Sequence, residues 1–146
     1  MFNDILIAAD PDETDLSVAG FGFDLAENVG AAVHILAVID EPQQRDQLRA
    51  DQESEVRETV DSLVGEARDR GIAADAHVET GMPAEEIIQA IDRVGIDAVV
   101  MGTRARSGID KLVLGSVAES VIEESPVPVL TVPPAASPPA ESRPVS

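Results

Sequence analysis

Two glycines, Gly102 and Gly115, bracket the stretch of this 146-residue chain whose residue types are best suited to chemistry. Gly102 follows the apolar run Ala98-Val99-Val100-Met101, and Gly115-Ser116 opens a short segment of helical period with Val117, Val121 and Ile122 expected to face inward. The start of a helix carries backbone N–H groups without intrahelical acceptors and the positive end of the helix dipole, so it attracts an anion. Glycine lets the backbone approach a phosphate closely, and the Ser116 hydroxyl adds a donor. Arg104 and Arg106, inside the bracketed stretch, supply charge that can pair with phosphate oxygens. The chemistry suggested is phosphate binding.

Other chemistries find little support. The chain has no cysteine, which removes disulfides, thiolate metal sites and cysteine nucleophiles. His34 and His77 are its two histidines; each falls on a strand pattern with no third ligand at metal spacing, and both read as structural. Gly20-Phe21-Gly22 begins like a dinucleotide fingerprint, but Leu25 stands where the third glycine belongs and the stretch has helical period. Lys111 lacks the glycine spacing and the following Ser or Thr of a Walker-type loop. Asp10, with Asp12 beside it, could hold a phosphate-bound Mg²⁺, although Asp12 serves equally well as a helix cap. The acidic residues from Asp51 to Glu58 read as a solvated helix face, and no catalytic base is legible, so the residues suggest a binder rather than an enzyme.

Apolar runs of strand length alternate with stretches of helical period, the pattern of βαβ units around a parallel sheet. Strands are expected at Ile5 to Ala9, Val33 to Ile39, Ala74 to Glu79, Ala98 to Met101 and Val127 to Val132, the third being polar enough for a sheet edge. Between them, Leu16, Ala19, Phe23 and Ala26 form one helical stripe, and Val56, Val60, Leu63, Val64 and Ala67 form a second that Gly71 closes. Pro83 opens a third helix carrying Ile87, Ile88, Ile91 and Val94. Right-handed crossovers then give an α/β, flavodoxin-like open five-stranded parallel sheet of order 3-2-1-4-5 with helices on both faces. The carboxyl ends of strands one and four lie side by side in that order, so Asp10 and Gly102 become neighbours at the crevice where such sheets bind ligands.

The run from Met101 to Val117 resembles the universal stress protein family, whose nucleotide-binding members carry Gly-x2-Gly-x9-Gly-Ser/Thr. Gly102 matches the first glycine and Gly115-Ser116 the last pair with no gap, while Ala105 stands at the second glycine. The resemblance extends from the Ile5 to Asp10 strand to Pro126-Val127-Pro128-Val129-Leu130. It implies an adenine nucleotide, ATP or a relative, alone or with Mg²⁺. Asp10 would meet the ribose, Ala9 and Val38 would flank the adenine, and Met101 and Gly102 would line the same cleft. Gly115, Ser116 and Val117 would face the phosphates with help from Arg104. The family commonly dimerises through the last strand, here 127–132, and would act as a stress-response module. Ala105 supports the rival reading of a dimeric interaction protein that binds no nucleotide; a slow ATPase is a third possibility.

Composition limits the setting. With 28 acidic and 10 basic residues the formal net charge is −18, and Lys111 is the single lysine. So large a charge repels itself unless salt screens it, which reads as halophilic adaptation to a very salty cytoplasm. A surface without clustered cations disfavours nucleic acid, and no apolar stretch reaches the length of a membrane span. A cytoplasmic domain over residues 1–132 is expected, followed by a disordered tail, 133–146, rich in Pro, Ala and Ser.

Overall fold

The computed structural model describes residues 2–9, 17–40, 46–103 and 115–133. Five strands, β1 (Asp4–Ala9), β2 (Ala32–Asp40), β3 (Ala74–Gly81), β4 (Ala98–Gly102) and β5 (Val129–Val132), alternate with four helices, α1 (Ser17–Val29), α2 (Asp46–Asp69), α3 (Pro83–Ala90) and α4 (Ser116–Glu124). The strands form one parallel sheet of order β3-β2-β1-β4-β5, as the alternation of periods requires.

Alternation along the strands sorts the core into two layers. Ile5, Ile7, Val33, Ile35 and Val100 point to the face covered by α1 and α2, where Ala19, Phe23 and Ala26 meet Val56, Val60, Leu63, Val64 and Ala67. Leu6, Leu36, Val99 and Met101 point to the opposite face, covered by Ile87, Ala90 and Ile91 from the α3 side and by Ala118 and Val121 of α4. The α2 stripe is therefore buried at every expected position.

Helix ends follow their local chemistry. Pro83 occupies the first turn of α3, where its missing N–H costs nothing. Gly71 ends α2 with φ +81, and the paired bonds from the Gly71 N–H to Arg68 O (2.9 Å) and the Ile72 N–H to Ala67 O (3.0 Å) close it in a Schellman arrangement. The third helix does not continue as one α-helix through Val94: Ile91–Gly95 widens into a π-type turn, with the Ile96 N–H donating to Ile91 O at 2.9 Å.

Two expectations are corrected. The last strand begins at Val129 rather than Val127, because Pro126 and Pro128 have no N–H to give a ladder; only the Pro128 carbonyl takes part, accepting from the Val99 N–H at 2.9 Å. Ile122 is 45% exposed, and Ala118 takes the inward place beside Val121. Leu16 and the tail from residue 134 lie outside the described residues.

Candidate functional site

Parallel strands end together, so the carboxyl ends of β1 and β4 form one rim. Ile7 pairs with Val100 across β1 and β4, and Ala9 pairs with Ala37 of β2. Asp10, Asp12, Arg104, Ala105 and Arg106 lie outside the described residues.

At the end of β4 the chain is tied to its return point. The Thr103 N–H donates to Val132 O at 3.3 Å, extending the β4–β5 ladder by one step, and the Gly115 N–H donates to the Thr103 carbonyl at 3.0 Å. Thr103 and Gly115 are thus joined directly, and the α4 N-terminus starts beside the end of β4. Gly115 is the N-cap, in extended backbone (φ −68, ψ 156), with no side chain capping the helix. Its carbonyl accepts the Glu119 N–H at 3.0 Å, the first intrahelical bond, so helix geometry leaves the Ser116, Val117 and Ala118 amides directed out of the first turn. Ser116 is exposed, Gly115 buried and Val117 half-buried. The arrangement offers neutral donors and a dipole to an anion. Because any residue adopts the Gly115 backbone, glycine contributes there by its lack of a side chain at a buried position.

Gly102 has a packing reason of its own. A Cβ there would stand 3.3 Å from Val18 Cγ2, so α1 closes on β4 where the motif begins. Gly22 is tighter: a Cβ would come within 2.5 Å of Ile7 Cδ1, so the Gly20-Phe21-Gly22 stretch lets α1 seat against β1 and lies inside a helix, as its period indicates.

The expected adenine-flanking residues are divided between the faces. Ala9 packs with the α1/α2 layer, whereas Val38 and Met101 belong to the α3/α4 layer. Val38 and Met101 are buried, at 9% and 4% exposure, on β2 and β4, the strands on either side of β1, and belong to the same core cluster. Thr103 escaped the sequence reading, since nothing in its type announces that its backbone joins β5 and α4. Among the described residues no three His, Cys, Asp or Glu side chains converge as metal ligands, and no helix is long and apolar enough to cross a membrane.

Comparison with known proteins gives this geometry a context. Residues 1–133 match the model of the universal stress protein family. Universal stress protein MJ0531 of Methanocaldococcus jannaschii is 27% identical over 143 residues, 90% of this chain and 82% of its own. Protein MJ0577 of the same organism has a solved structure that superposes with a TM-score of 0.77 at 25% identity, covering 94% of this chain and 99% of the other. A universal stress protein from Archaeoglobus fulgidus, solved in complex with dAMP, shares the fold with a TM-score of 0.69 at 24% identity, over 89% of this chain and 97% of the other. With the family model matching all but the end of it, this chain belongs to the universal stress protein family.

Proposed function

We propose that this universal stress protein binds an adenine nucleotide, ATP or a relative, at the rim formed by β1 and β4. The observation that carries the reading is the bond from the Gly115 N–H to Thr103 O, which sets an uncapped helix start beside the end of β4. The phosphates would meet the amides of Ser116 and Val117 and the Ser116 hydroxyl, with Arg104 adding charge. Val38 and Met101 would back the base from the α3/α4 side, Ala9 and Gly102 would complete the rim, and Asp10 would take the ribose or a phosphate-bound Mg²⁺. That a protein of this fold holds dAMP supports a nucleotide over other anions.

Ala105 favours a second reading, an interaction protein with little nucleotide affinity. If the family's glycine gives the loop clearance or a positive φ, alanine weakens phosphate contact by about 1.4 kcal/mol, which is tenfold. Calorimetry with ATP in molar KCl separates the readings: weak binding, strengthened about tenfold by Ala105→Gly and abolished by Gly115→Val, supports the nucleotide. No binding by a folded Ala105→Gly variant leaves the interaction protein standing.

The assembly proposed is a homodimer through β5. That strand is the last in the sheet, its outer edge pairs with no other strand among the described residues, and Ile122 of the adjoining α4 is 45% exposed. A cytoplasmic, salt-adapted module with a dispensable tail completes the proposal.

A further inference from the structure

At the end of the sheet away from the rim, three side chains on three neighbouring strands form a hydrogen-bonded row. His34 Nε2 lies 3.0 Å from Asp4 Oδ1, and His34 Nδ1 lies 3.2 Å from His77 Nε2. The His34 ring is buried, at 8% residue exposure, and the two ring centroids are 5.4 Å apart. An ionised carboxylate only accepts, so His34 Nε2 carries the hydrogen toward Asp4 and its Nδ1 is a bare acceptor. His77 must then donate from Nε2, which leaves His77 Nδ1 as the row's open end. No third ligand converges on the pair among the described residues, so its chemistry is that of a proton rather than a metal ion.

Charges face this row from several elements. Asp4 comes from β1, its own amide bonded at 3.0 Å to Asp97 Oδ2. Asp75 and Glu79 flank His77 on β3, while Arg93 of the π-type turn pairs with Glu79 at 3.6 Å and Arg68 of α2 approaches Asp75 at 3.9 Å. His77 is held below the usual histidine range by burial first and by His34 second; Asp75 and Glu79 oppose this, and Arg93 adds to it.

We propose that His34 and His77 act as one acid–base unit that takes up a single proton with the fold intact, and that a second proton releases edge strand β3 from β2. The first proton enters at His77 Nδ1 and is shared by the pair: moving the bridging hydrogen from His77 Nε2 to His34 Nδ1 places the cation beside the Asp4 carboxylate, and both hydrogen bonds of the row stay in place. The second has only the remaining bare nitrogen of the His34–His77 bond to occupy. There it would set N–H against N–H across 3.2 Å, with two cations in contact. Since β3 is an outermost strand, its release bares the edge of β2 without dismantling β1, β4 and β5.

The test is a ring-nitrogen NMR titration of the full chain from pH 8 to pH 4, in molar KCl with a chelator. The expected result is one step felt by both rings together, followed by a second proton uptake that coincides with loss of the β3 amide signals. His77→Gln keeps a donor for His34 Nδ1, can turn its amide to accept, and takes no proton, so β3 release should move to lower pH. Independent titration of the two rings, double charging with β3 still paired, or an unchanged release pH in His77→Gln overturns the proposal.

Discussion

Placing a methyl group on Gly22 tests how α1 is seated against the strand that leads to the rim. An alanine Cβ would lie 2.5 Å from Ile7 Cδ1 and 2.7 Å from Ile7 Cγ1, and Ile7 is fully buried in the sheet's core face. Neither atom can swing into open space. Overpacking of this kind costs about 1–3 kcal/mol, against a helix-propensity gain of about 1 kcal/mol for replacing glycine with alanine. Contacts this short put the cost in the upper part of its range, so a net loss of roughly 1–2 kcal/mol is expected, or a fall in Tm of about 2–8 °C for a chain of this size. Gly20, two residues earlier on the same helix, is the control: nothing lies within 4 Å of its Cβ position, so Gly20→Ala should raise Tm by about 2–4 °C. Removing Cδ1 with Ile7→Val relieves the shorter contact, so the double variant should lose at least about 0.5 kcal/mol less than the sum of the single losses. Calorimetric melts in molar KCl read all four proteins. A neutral or stabilising Gly22→Ala, or strict additivity with Ile7→Val, would refute the argument.

Three further outcomes are expected. Asp97 Oδ2 accepts the Asn3 and Asp4 amides at 2.7 and 3.0 Å, and these bonds hold its carboxyl below the ordinary 3.8; its contribution to stability is therefore full above that value and lost as pH falls through the depressed one, so Asp97→Asn should lower Tm at pH 7 and make no difference in strong acid. Arg70 reaches Asp24 at 2.6 Å and Glu27 at 2.9 Å and lies 5.5 Å from the Phe23 ring centre, yet both partners are exposed and screened by solvent; Arg70→Ala should leave the denaturant midpoint almost unchanged. The net charge of −18 predicts a Tm that climbs from dilute buffer to molar KCl, and a flat response would remove the salt-adaptation reading.

The features legible in the sequence are those that depend on period and on single-residue chemistry. The α2 stripe, Pro83 at a helix start, Gly71 at a helix end and the polar edge strand all follow from rules that act within a few residues. What was hidden depends on pairing. His34 and His77 each looked like an isolated strand histidine, and only the β2–β3 register, with His34 opposite Asp75 and Leu36 opposite His77, brings them diagonally together on one face. That signal was available once the sheet order was drawn, because both residues alternate to the same side. Ile122 belonged to an apolar stripe wide enough to admit either it or Ala118, and packing chose the smaller residue. The family resemblance pairs Ala9 with Val38, but their side chains alternate to opposite faces.

Among the described residues the two ends of the sheet are tied by different groups. At the amino end, side chains satisfy the groups that strands leave open: Asp97 takes two amides, Asp4 engages His34, and His34 engages His77. Those bonds tie β1, β2, β3 and the start of β4 together. At the carboxyl end the described connections are backbone to backbone, from Thr103 to Val132 and from Gly115 to Thr103, and the α4 start that they position has no side-chain cap. A glycine at the N-cap forgoes only a few tenths of a kcal/mol relative to Ser or Asp, so an open helix start costs little here. Under the proposed function, a ligand with one anionic and one apolar part would meet the amides of the α4 start and the apolar side chains of Val38 and Met101. A nucleotide has that pair of properties. Inorganic phosphate has only the first, so Val38→Ala, which removes apolar contact without adding charge, should weaken ATP binding by calorimetry while leaving the far weaker binding of phosphate unchanged; equal loss for both in a folded variant would mean that Val38 plays no part in recognition.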